Sequence, residues 1–104
     1  MAEDSEKRDH KRHPFVGDVM LEFASGKREA RISDICQGGC DVDTIASVVE
    51  GETIGLAITA SFGECMRFTG KVVYILHGMG FGVCFTDLSD EGTAFLSHII
   101  AQNS

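Results

Sequence analysis

The sequence predicts an all-β fold with a C-terminal helix: a small antiparallel barrel of about six strands with the helix over one mouth. Three observations carry this. Short runs rich in β-branched and aromatic residues recur between Val16 and Thr86, broken by glycine-containing turns. After Ser89 the apolar residues switch to helical spacing. The 104 residues are 43% hydrophobic, enough to build one core and too few to build two.

Residues 1–13 contain no Leu, Ile, Val or Phe. They read as a charged arm, mobile unless something holds it, in front of a barrel domain over residues 14–104. Pro14 starts an extended segment. Val16 to Phe23 reads as a strand, Ala24 to Lys27 as a turn, and Arg28 to Cys36 as the returning strand, with Ala30, Ile32 and Asp34 on one face. Gln37-Gly38-Gly39 breaks that strand, and paired glycines permit positive φ and close approach of a ligand to the backbone. Cys40 to Thr44 is a short strand, and Ile45 to Glu50 has no clear pattern. Thr53 to Ala60 alternates through Ile54, Leu56 and Ile58. Glu64 to Leu76 is a long strand, His77 to Gly80 a turn, and Phe81 to Thr86 a last strand with Phe81, Val83 and Phe85 on one face. Ser89 is an N-cap, followed by Asp90 and Glu91 where the helix dipole favours acids. Ala94, Phe95, His98 and Ile99 recur at helical spacing, giving a helix over about residues 89–102.

Charge is unevenly spread. The run Lys7-Arg8-Asp9-His10-Lys11-Arg12 holds four of the nine Lys and Arg residues, in a chain of net charge -7. From His13 on, five bases face twelve acids. An acidic body repels a long polyanion, which argues against DNA and RNA as partners. A small anion gripped by a few arginines escapes that objection, and Arg8 and Arg12 are spaced to grip one ligand together. The arginine fork suits phosphate, and also O6 and N7 of guanine. Taken alone, the run also reads as a solvated charged tail, and Asp34 as a turn-stabilising residue.

Met1 is followed by no apolar stretch of a signal peptide, and no apolar run has the length of a membrane span. The expected compartment is the cytoplasm, with the thiols of Cys36, Cys40, Cys65 and Cys84 reduced. Cys65 and Cys84 lie in strands and read as buried small apolar residues. Cys36-x-x-x-Cys40 with His10 and His13 lacks zinc spacing, so no metal is expected. His77 and His98 read as structural or exposed. No paired carboxylates, Ser-His-Asp order or phosphate-binding loop is present, so no catalytic set is expected.

Arg8-x-x-x-Arg12, followed by Asp34-Ile35-Cys36-Gln37-Gly38-Gly39, resembles the PilZ domain family, whose members bind cyclic di-GMP. The family pattern is R-x-x-x-R in an N-terminal arm and D/N-x-S-x-x-G after a first strand and turn. Gly70-Lys-Val-Val-Tyr-Ile and Gly80-Phe-Gly-Val-Cys-Phe85 are similar to two later family strands, so the resemblance covers nearly the whole chain. It implies a six-stranded PilZ-type barrel and a ligand set of Arg8, Arg12, Asp34, Cys36 and Gly39, with Lys7, Lys11 and Gly38 in support. The arginines would bind phosphates and guanine edges, and Asp34 a guanine from the barrel side. Cys36 stands where the family has serine. A thiol bonds more weakly than a hydroxyl, a difference of about 1 kcal/mol if that group touches the ligand. The resemblance further implies a receptor whose arm orders over cyclic di-GMP and signals to a downstream protein, and the acidic surface and short length point to a monomer. Some PilZ-like domains that lack the motifs serve instead as protein-interaction scaffolds. One ligand or a stacked pair fits the family equally.

Overall fold

The computed structural model describes residues 13–60 and 63–102. Six strands and one helix follow in chain order: β1 His13–Phe23, β2 Gly26–Ile35, β3 Gly39–Asp43, β4 Thr53–Thr59, β5 Cys65–Leu76, β6 Gly80–Thr86 and α1 Asp90–Gln102. All pairings are antiparallel, and the strands close into a barrel in the order β1-β2-β3-β6-β5-β4. The expected fold class is therefore the observed one.

Alternation builds the barrel wall. Val19 and Leu21 of β1, Ile54, Leu56 and Ile58 of β4, and Phe81, Val83 and Phe85 of β6 point inward and are buried. Each such side chain contributes roughly 1.5–3 kcal/mol by leaving water. Phe95, Leu96 and Ile99 of α1 belong to the same apolar cluster, so the helix packs onto the barrel interior. Phe68 links the two layers, with its ring 5.0 Å from that of Phe85 and 5.9 Å from that of Phe95. Ser89 caps the helix: its Oγ accepts from the Gly92 N–H at 2.9 Å, and its carbonyl from the Thr93 N–H at 2.9 Å. Among the described residues, no helix is long and apolar enough to cross a membrane.

Several expectations need correction. Ala94 is exposed, as is His98, and the buried stripe of α1 runs through Gly92, Phe95, Leu96 and Ile99 instead. Cys65 and Cys84 are exposed, not buried. Inward Val83 and Phe85 force Cys84 outward, and Cys65 falls in the outward phase of β5. Asp34 does not share a face with Ile32. The register of β2 against β3 slips between them, because Ile32 faces Val42 and Asp34 faces Asp41, leaving Ser33 as an extra residue. Such a bulge reverses the facing of everything after it, so Ile32 and Ile35 are the buried pair. Finally, Gly38 and Gly39 are not among the positive-φ glycines of the described chain, so the turn does not use the freedom expected of them.

Candidate functional site

The bulge at Ser33 has a counterpart in β5. Val72 faces Val83 and Tyr74 faces Gly82, which makes Val73 the extra residue there. Asp34 and Tyr74 thus each turn outward one residue past a bulge. Between them lie Asp41 and Gly82, and the four form a continuous cross-strand row, Asp34–Asp41–Gly82–Tyr74. At its open end Asp34 pairs with Pro14 of β1.

The row is tied across its width. The Tyr74 hydroxyl donates to Asp41 Oδ1. It reaches that far because the ring lies flat against Gly82, where a Cβ would sit 2.3 Å from ring carbon. A glycine in mid-strand marks such a close approach. Directly opposed strand residues have Cβ atoms about 4.5–5.5 Å apart, and like charges so placed repel. Asp34 and Asp41 are such a pair, so this face sets two carboxylates side by side.

Beside the row, β2 ends at Ile35 and the chain turns. Cys36 therefore lies on the turn and not in the strand. Its N–H donates to the Gly39 carbonyl at 2.9 Å, the Phe85 N–H donates to the Gly38 carbonyl at 2.8 Å, and Gln37 Nε2 donates to Ser97 Oγ at 2.8 Å. The turn is thus fastened to β6 on one side and to α1 on the other. Gly39 is needed for packing: a Cβ there would meet the Val83 carbonyl oxygen at 2.0 Å. Cys36, Gly38, Gly39, Val73, Tyr74 and Cys84 border a recess of about 230 Å3. Lys71 faces Cys84 across β5 and β6, and Cys84 faces Gly39 across β6 and β3.

Asp34, Cys36, Gly38 and Gly39 are therefore brought together at one end of β2 and β3, with Asp34 half-buried and Cys36 buried. Lys7, Arg8, Lys11 and Arg12 lie outside the described residues. Sequence reasoning missed Asp41, Tyr74, Gly82, Lys71 and Cys84 as neighbours. The signal available was the Gly80-x-Gly82 pair inside an apolar strand and a lone tyrosine opposite it. Among the described residues, no three His, Cys, Asp or Glu side chains are grouped to hold a metal ion.

The family model described as PilZ domain matches residues 6–102, a span that includes both arginines of the basic run. No curated protein sequence matches the chain. Solved structures with the same architecture include the PilZ domain with c-di-GMP of YcgR from Escherichia coli, at 15% identity and a TM-score of 0.79, covering 93% of this chain and 91% of that one. The Bacillus subtilis inhibitor of motility MotI/DgrA is similar at 16% identity and a TM-score of 0.80; the match covers 92% of this chain but only 50% of that one. The PilZ domain of CeSA from a cellulose-synthesizing bacterium is similar at 16% identity and a TM-score of 0.68, covering 88% of this chain and 96% of that one. At these identities the likeness is one of fold.

Proposed function

The chain belongs to the PilZ domain family, and from that premise we propose that it is a cyclic di-GMP receptor whose arm, residues 1–13, closes over ligand held against the barrel. The binding set is Arg8, Arg12, Asp34, Cys36 and Gly39, with Lys7, Lys11 and Gly38 in support. The observation that carries the reading is the root of the arm. His13 pairs with Ile35 and Pro14 with Asp34. His13, the residue that follows Arg12, therefore stands beside the other half of the motif. Arg12 immediately precedes His13, and Arg8 is five residues ahead of it, a tether of at most roughly 18 Å when extended.

Physical chemistry supports the same division of labour. The recess of about 230 Å3 is below the roughly 300–1,000 Å3 of a pocket that engulfs its ligand. A dinucleotide would seat one part there and lie across the surface, leaving phosphates for the arm. The carboxylates of Asp34 and Asp41 suit guanine N–H donors and the arm's guanidinium groups. Ordering the arm costs conformational entropy. Charge-assisted bonds of roughly 1.5–3 kcal/mol each offset that cost, and micromolar affinity needs only about 8 kcal/mol net. The closed arm forms a new surface for a downstream protein. The domain acts as a cytoplasmic monomer and as a binding module without catalysis.

Isothermal titration with cyclic di-GMP tests this and counts the ligands bound. Binding in the micromolar range or tighter is expected, abolished by Arg8→Ala and by Arg12→Ala; undiminished affinity in both variants would sink the assignment. The second reading, a protein-interaction scaffold with weak or no nucleotide binding, is favoured by exposed Ile45, Val49, Leu76 and Met79. Absence of any titration heat or spectral shift at high ligand concentration would select it.

A further inference from the structure

At the end of the barrel away from the candidate site, the β1–β2 hairpin and the segment after β3 border a cleft of about 460 Å3, lined in part by Ser25, Lys27, Arg28, Ile45, Ser47 and Glu52. Lys27 and Arg28 are two of the five bases from His13 on. Among the described residues neither has a carboxylate partner. Register alone would give Lys27 to Glu22, which stands directly opposite. Glu22 turns the other way instead. Its carboxylate passes over Gly55, where a Cβ would sit 3.3 Å from Oε1, and binds Arg67 at 2.7 Å. Other acids of this end are also engaged. Asp43 has Arg31 opposite, and Glu52 Oε1 accepts from the Val49 N–H at 3.0 Å. Glu50 lies outside the lining. Two cations against one carboxylate leave the cleft net positive in an acidic body. Ser25 and Ser47 add hydroxyl donors, and Ile45, 82% exposed, adds an apolar ledge.

We propose that this cleft docks a short acidic segment of a partner protein, in which two carboxylates flank one large apolar side chain. The carboxylates meet Lys27 and Arg28, and the apolar side chain covers Ile45. The recognition is local. At physiological salt, charges beyond about 8 Å are largely screened, so a short segment in the cleft feels these two cations more than the acids elsewhere on the barrel. The cleft is separate from the candidate site. Gly39 and Asp43 are the two ends of β3, about 13 Å apart in an extended strand, and the cleft lies beyond the Asp43 end. A partner held there leaves the recess beside Gly39 open. The dock stands whether or not the receptor reading does. Where both hold, the domain stays on its partner while cyclic di-GMP comes and goes.

The test titrates the full, folded chain with an end-blocked peptide, Gly-Glu-Leu-Glu-Gly, and follows amide shifts by nuclear magnetic resonance. Shifts are expected at residues 25–28 and 45–47, with a dissociation constant below about 1 mM. The same peptide with Gln for both Glu should bind about tenfold more weakly, the effect of two exposed ion pairs. Lys27→Gln combined with Arg28→Gln should lose the same factor, with an unchanged urea midpoint reporting an intact fold. Ile45→Ser should weaken binding about fivefold by uncovering the apolar contact. Saturating cyclic di-GMP should leave the peptide's affinity as it was. No shifts at residues 25–28 and 45–47, equal binding of the Gln peptide or of a Lys-Leu-Lys peptide, or full affinity in the double variant overturns the dock. Displacement of the peptide by cyclic di-GMP overturns the separation of the two sites. A chain that takes the peptide but shows no shift at residues 34–39 with cyclic di-GMP fails as a receptor and keeps the dock.

Discussion

Strands β4 and β2 start from the same rule and end in different roles. In β4, inward Ile54, Leu56 and Ile58 alternate with outward residues from end to end, and its register with both β1 and β5 is unbroken. It is a plain wall. β2 departs from the rule at Ser33, one residue before Asp34 turns outward, and β5 departs from it at Val73, one residue before Tyr74 does the same. The candidate site gathers where the period of two slips. A bulge re-aims a side chain without giving up the strand, so the barrel keeps its core while polar groups converge on its outer face.

Four substitutions test that division between a wall that stabilises and a wall proposed to bind. Leu56→Ala in the plain wall should cost about 2–5 kcal/mol, measured by urea denaturation, while the folded fraction keeps its affinity for cyclic di-GMP. A parallel loss of affinity would break the contrast. Asp34→Ala should do the reverse. It loses charge-assisted bonds worth roughly 1.5–3 kcal/mol each, a fall in affinity of about tenfold to a hundredfold by titration, with little change in the denaturation midpoint. Gly39→Ala sits on the boundary and should cost roughly 1–3 kcal/mol of stability through overpacking against the Val83 carbonyl; an unchanged midpoint would mean that β3 and β6 can part cheaply. The smallest effect is expected for Cys36→Ser, which restores the family hydroxyl and should tighten binding about fivefold, the value of one hydrogen bond. No gain there would show that position 36 does not touch the ligand.

The contrast also explains what could be read from the sequence. Alternation through Ile54, Leu56 and Ile58 needs no partner to be recognised, and neither does Ser89 ahead of Asp90 and Glu91, so β4 and the start of α1 were legible. Nothing local to Ser33 announces an extra residue. Its effect arises from pairing with β3, and it moved Asp34 to the other face from Ile32. Cys84 was legible after all, because inward Val83 and Phe85 leave it no inward position; judging cysteine by type alone obscured that. In the helix, Ala94 and Leu96 both fit a helical period, and only packing against the barrel chose Leu96. Asp34, Cys36 and Gly39 were singled out by their motif, and the barrel brings them together where β2 ends and β3 begins. Asp41 and Tyr74, 33 residues apart, became neighbours only through the order of the strands.

Closure of the barrel limits how another protein can use this domain. Among the described residues every strand has a hydrogen-bonded neighbour on both flanks, so no strand offers its whole length as a sheet edge for an incoming segment to zip onto. Recognition by strand addition, which reads backbone and is tolerant of sequence, is thereby confined to the short overhangs where one strand outruns its neighbour. A partner that covers the barrel wall must instead read side chains, and a change of one residue on the outer surface can then redirect the domain to a different listener without disturbing the barrel.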